Sequence, residues 1–145
     1  MSNLSTFMAY AAAFEQTFAD DNWQRLAPFF SEDATYQVSG IPGGGVMHGR
    51  DAIFRGIKKS LDGFDRQMAS RQIIPTAPPT EEGNRVTLRG VARYVRDGAP
   101  VDMPATIVVE LDGGKIVRMH DHFTLDAAAL AWFQAHARDL DGSYV

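Results

Sequence analysis

The spacing of apolar residues changes once along the chain, near residue 64, and that change restricts the fold more than any other feature. Before it, apolar side chains recur at helical spacing. Phe7, Tyr10, Ala11, Phe14 and Phe18 make one stripe, and Ile53, Phe54, Ile57 and Leu61 make another. Ser5 or Thr6 is expected to cap the first helix, while Asp51 opens the other and Gly63 closes it. Between them, Asn22 caps a short helix with Trp23, Leu26 and Phe30 inward, and Thr35 to Ser39 reads as a strand. The run Gly40-Ile41-Pro42-Gly43-Gly44-Gly45 reads as a loop. After residue 64 the segments 67–76, 85–96, 101–111 and 116–124 all read as extended. Pro78-Pro79 with Glu82-Gly83-Asn84, Asp97-Gly98, and Asp112-Gly113-Gly114 separate them. The last two breaks are tight enough for hairpins, so the sheet is expected to be mostly antiparallel. Asp126 caps a final helix with Leu130, Phe133 and Ala137 on one side. Helices first and long strands afterwards make an α+β layout, with about three or four helices on one face of a curved sheet.

A length of 145 residues suits one domain spanning residues 1–145, with no repeat or linker. Cysteine is absent, which removes disulfides, thiolate nucleophiles and cysteine metal ligands. Lys and Arg total 14 against 18 Asp and Glu, so there is no basic surplus to neutralise phosphates, and neither nucleic acid nor membrane is an expected partner. No positive charge precedes the first apolar stretch, and Phe7 to Phe14 falls well short of the ~20 residues a membrane-spanning helix needs. A cytoplasmic location is therefore expected.

Three motifs carry a family resemblance. Phe29-Phe30-Ser31-Glu32-Asp33-Ala34-Thr35-Tyr36 resembles the step into the first strand of the nuclear transport factor 2-like superfamily. His48-Gly49-Arg50-Asp51-Ala52-Ile53 resembles its helix start. Gly114-Lys115-Ile116-Val117, followed by Asp121-His122-Phe123, resembles the last strand of its SnoaL-like branch. The resemblance implies a cone: a strongly bent, mostly antiparallel sheet packed on helices, a cystatin-like roll that encloses an apolar cavity. It also implies pairing of two copies through the outer sheet face, where Thr106, Val108 and Glu110 lie. The superfamily holds ketosteroid isomerase, limonene epoxide hydrolase, polyketide cyclases, dehydratases and binding proteins, so the reaction must be read from the site.

Position by position, the isomerase's three functional groups would fall at Phe14, Val38 and about Ile107, which disfavours that mechanism. Of the epoxide hydrolase groups, the arginine and one aspartate fall at Leu88 and Gly90, while Tyr36 and Asp121 match the other two. Asp121 remains, expected to point into the cone on the strand face of Met119 and Phe123, the one carboxylate placed inside. A carboxylate in an apolar cavity loses hydration, its pKa rises toward neutrality, and it becomes a usable proton shuttle. Asp121 and Tyr36 are therefore the candidate catalytic pair. Tyr36 is placed to orient a substrate or to polarise a carbonyl.

Phe14, Phe18, Trp23, Val38, Leu88, Ala92, Ile107, Val109, Met119 and Phe123 are candidate substrate-binding residues, with His48 at the mouth. Most of the sheet-borne ones are apolar or small, which implies an apolar ligand. His120 and His122 share the opposite face; no third ligand accompanies them, and no metal site is assigned. The Gly43-Gly44-Gly45 run lacks the Lys-Ser/Thr ending of a phosphate loop and reads as a mobile loop or flap.

The sequence thus points to a cofactor-independent acid/base enzyme acting on an apolar small molecule, of isomerase, cyclase, dehydratase or hydrolase type. Two readings stand beside it: a non-catalytic binding protein for a hydrophobic ligand, and a dimeric interaction module.

Overall fold

Ser2 starts the first helix, ahead of the expected Ser5 or Thr6. Its side chain accepts a hydrogen bond from the Ser5 amide, and α1 runs Asn3–Asp20. In the computed structural model, which describes residues 2–137, α1 ends where Asp21 turns left-handed at φ 57°. Pro28 breaks up the helix expected next, and two single 3-10 turns, Trp23–Arg25 and Ala27–Phe29, take its place. β1 then runs Phe30–Ser39, beginning well before the expected Thr35.

The glycine run is shorter as a loop than its composition implies. The chain reverses over 40–44, and β2 (Gly45–His48) pairs back on β1. Gly40 sits at φ 83°, and a Cβ there would lie 1.9 Å from the Phe123 carbonyl oxygen, so the close crossing requires glycine.

α2 (Arg50–Gly63) buries Ile53, Ile57 and Leu61. A 3-10 turn, Asp65–Gln67, leads into β3 (Ser70–Pro75), β4 (Thr80–Glu82), β5 (Arg85–Val95), β6 (Val101–Asp112) and β7 (Lys115–Phe123). α3 (Ala127–His136) follows, with the Asp126 side chain accepting from the Ala129 amide as the sequence indicates; Ala137 ends it as the C-cap.

The strands form one sheet in the order β2-β1-β7-β6-β5-β3, with β4 paired to β5. Every pairing is antiparallel except β1 with β7, which is parallel. Register breaks between Phe30 and Thr35 and between Glu110 and Leu111 let the sheet curve over the helices without closing on itself. Pairing sets Val38, Asp121, Ile107 and Leu88 side by side across four strands. Aromatic rings fill the space beneath: Tyr10 meets Phe30 edge-on at 5.3 Å, and Phe133 of α3 lies 4.8 Å from Phe64. Among the described residues no helix is long and apolar enough to cross a membrane.

Candidate active site

Strands alternate their side chains, so the inward residues of β1, β5, β6 and β7 face α1 across the curve of the sheet. They do not fill that space. A cavity of about 290 Å³ remains. Nine of the residues singled out from sequence line it: Phe14, Tyr36, Val38, Leu88, Ala92, Ile107, Met119, Asp121 and Phe123. Gly90 lies between Leu88 and Ala92 with no side chain to occupy the cavity, and a Cβ there would come 2.9 Å from the Ile74 carbonyl oxygen.

Four others do not reach the cavity. Phe18 lies under the Arg71 and Arg66 guanidiniums, 4.9 and 5.5 Å from its ring centre. Trp23 packs on Phe54 at 5.8 Å and donates its ring N–H to Asp21. His48 faces solvent from β2. Val109 does face inward, but it is fully buried between its neighbours Val86 and Met119, where packing leaves no space.

At one end of the cavity, the Tyr36 hydroxyl donates to Asp121 Oδ2 at 2.5 Å. Asp121 Oδ1 is buried and makes no hydrogen bond. Burial pushes the Asp121 carboxyl up to about 6, and the Tyr36 hydrogen bond opposes the rise. No cation pairs with it among the described residues. Tyr10 of α1 is close enough that the Asp121 charge adds to burial in raising its hydroxyl pKa, so Tyr10 stays protonated. Sequence had placed Tyr10 only in the inward stripe of α1.

The other end corrects the expectation of an almost wholly apolar wall and of a single inward carboxylate. Asp65, Glu15, Arg71 and Tyr94 all line the cavity. Asp65 Oδ2 accepts from the Tyr94 hydroxyl at 2.9 Å and from Arg71 Nε at 3.0 Å. Arg71 Nη1 reaches both Glu15 oxygens at 3.0 Å. Burial raises the Asp65 carboxyl above its ordinary range, with Arg71 and Tyr94 opposing. No local signal announces this cluster. Its members come from α1, a 3-10 turn, β3 and β5, and only the fold brings them together.

On the outer face of the sheet, the Ser39 hydroxyl lies 2.8 Å from both His120 Nε2 and His122 Nδ1. No group of three or more potential metal ligands occurs among the described residues.

A bent sheet over helices, with a cavity between them, is the fold of nuclear transport factor 2-like proteins. The solved structures agree. Bal32a, from a soil-derived mobile gene cassette, superposes with a TM-score of 0.68 at 21% identity, covering 94% of this chain and 96% of that one. A putative SnoaL-like polyketide cyclase from Jannaschia sp. CCS1 gives 0.68 at 17% identity, covering 92% and 90%. A Catenulispora acidiphila protein with a ketosteroid isomerase-like fold, in complex with trimethylamine, gives 0.59 at 22% identity, covering 88% and 91%. No curated protein sequence matches this chain. The family model of the SnoaL-like domain matches residues 10–119, and the chain belongs to that family.

Proposed function

We propose that the protein is a cofactor-independent acid/base enzyme that moves a proton on a largely apolar small molecule held in the cavity. One observation carries the reading: Asp121 lines the cavity and keeps one buried, unpartnered oxygen, Oδ1, while Tyr36 fixes its Oδ2. A carboxylate with a pKa near 6 is half ionised near pH 6 and mostly ionised at neutral pH, and it accepts a proton more readily than an ordinary Asp.

In the proposed step, ionised Asp121 takes a proton from a carbon next to the substrate carbonyl. The electron pair of that C–H bond moves to the carbonyl oxygen as an enolate, which a tyrosine hydroxyl stabilises. Asp121 then returns the proton to a carbon or oxygen of the same molecule. No electron leaves the substrate, so no redox partner is required.

The direct test is exchange of the C–H protons of 2-tetralone, a small apolar ketone, for deuterium in heavy water. The protein should accelerate exchange over buffer alone, and Asp121→Asn should return it close to the buffer rate. Equal acceleration by both proteins removes Asp121 from the chemistry.

A further inference from the structure

The cavity has two polar ends, and the Asp121 chemistry uses only one. α1 borders both: Tyr10 stands near Asp121, and Glu15 sits on Arg71. The step of five positions from Tyr10 to Glu15 corresponds to about 7.5 Å of helix rise.

Arg71 is held firmly. Its guanidinium packs over the Phe18 ring at 4.9 Å and the Phe14 ring at 5.9 Å. Its side chain is only 13% exposed. Nε is used by Asp65 and Nη1 by Glu15, but Nη2 makes no hydrogen bond among the described residues. A rigid guanidinium with two unused N–H donors at a cavity wall is a binding group for an oxygen acceptor.

The two carboxylates beside Arg71 differ in what they allow. Asp65 is buried with its side chain 11% exposed, and it is tied to Tyr94 as well as to Arg71. It is a fixed part of the wall. Glu15 is 51% exposed and meets Arg71 from α1 at the cavity's edge. An exposed, solvated carboxylate is cheap to displace, and its water shell remains available to it.

We propose that Arg71 is the anchor for an acidic oxygen group of the ligand, a carboxylate or an ionised enol or phenol, which takes the Nη2 donors and competes with Glu15 for the guanidinium. The ligand is then an apolar body with an acidic oxygen at the end remote from Asp121, not a plain hydrocarbon skeleton. This specifies the substrate class of the proposed enzyme and rests on that reading only in placing the ligand in the same cavity.

Calorimetric binding of 2-naphthoate and of its uncharged counterpart 2-naphthamide tests the anchor without any turnover. Failure of Asp121 catalysis therefore leaves the result interpretable. The native protein should bind the naphthoate about tenfold more tightly than the amide, the size of one charge-assisted contact. Arg71→Gln should bring that ratio to about one, with the amide still bound. Because Arg71→Gln leaves Asp65 short of a partner, Glu15→Gln supplies a second reading in a protein that keeps the Asp65 contacts. Removing the competing carboxylate should raise the ratio about fivefold. A native ratio of one or less overturns the anchor, as does no binding of either compound. So does an Arg71→Gln ratio equal to the native one, or a ratio unchanged or lowered by Glu15→Gln.

Discussion

The two ends of the cavity hold the same pair of groups, a buried aspartate bonded by a tyrosine hydroxyl, and yet they are built for different tasks. Asp65 receives Tyr94 and Arg71 on one oxygen, and that arginine continues to Glu15. Asp121 receives Tyr36 alone, faces no cation among the described residues, and keeps one oxygen unpartnered. A buried carboxylate with a cation is a structural tie, because removing either partner strands a charge. A buried carboxylate with one neutral donor is costly to keep ionised, and that cost appears as a pKa near 6 rather than as stability. The difference separates a wall from a site.

The largest effect expected from this contrast is on proton transfer. Asp121→Asn should cut 2-tetralone exchange by about 10³-fold, within the range of general acid–base contributions. Asp65→Asn keeps the hydrogen-bonding geometry of the wall and should leave exchange within about threefold of the native rate. If Asp65→Asn is the variant that loses exchange, the roles of the two ends are reversed.

The next effect is on stability, and here the order inverts. Asp65→Ala removes the buried carboxylate that Arg71 and the Tyr94 hydroxyl both bond, leaving the buried guanidinium to the exposed Glu15, and should cost about 3 kcal/mol in denaturant unfolding. A loss below about 1 kcal/mol would show that Asp65 is not the tie its contacts describe.

How far the sequence reveals this contrast depends on the range of each signal. Tyr36, Val38, Met119, Asp121 and Phe123 are legible because alternation along a strand is local, and a single inward carboxylate stands out against apolar neighbours. The order of helices and strands was legible for the same reason. Short-range competition decided the misses there: Ser2 outranked Ser5 as a cap, Pro28 broke a helix into 3-10 turns, and Gly45 entered β2. Phe18, Trp23 and Val109 have the apolar character of cavity residues, but periodicity does not tell a wall from filled core. Asp65 follows α2 directly and reads as a solvated helix end. Nothing near it in sequence indicates that Tyr94 and Arg71, on two other strands, will bury it.

The pH dependence of stability measures the cost of burying the Asp121 carboxyl, about 3 kcal/mol. Asp121 binds its proton more tightly in the folded chain, with a pKa of about 6 against the 3.8 of an ordinary aspartate. That contribution is fully present below about pH 4 and is lost as the pH rises through 6. Asp121→Asn carries no such proton, so it should be close to neutral at pH 4 and stabilising by about 3 kcal/mol at pH 8. Urea unfolding at the two pH values measures this directly. A variant equally destabilised at both would show that Asp121 binds its proton no more tightly in the folded chain than in the unfolded one.

The smallest effect tests how Tyr36 acts. Its hydroxyl lowers the Asp121 pKa against the rise that burial imposes. Tyr36→Phe removes that hydrogen bond, so the carboxyl should titrate above 6 and less of it is ionised at neutral pH. Exchange of 2-tetralone should rise with pH in both proteins, with the midpoint near 6 in the native chain and displaced upward in Tyr36→Phe. At pH 7 the variant should be slower by about tenfold, and the gap should narrow at pH 9, where both carboxyls are ionised. A fixed gap at every pH would show that Tyr36 donates to the substrate oxygen. A gap that closes with pH shows that it sets the protonation of Asp121. The end with no arginine would then owe its reactivity to the weak neutral donor that stands where a cation would have quenched it.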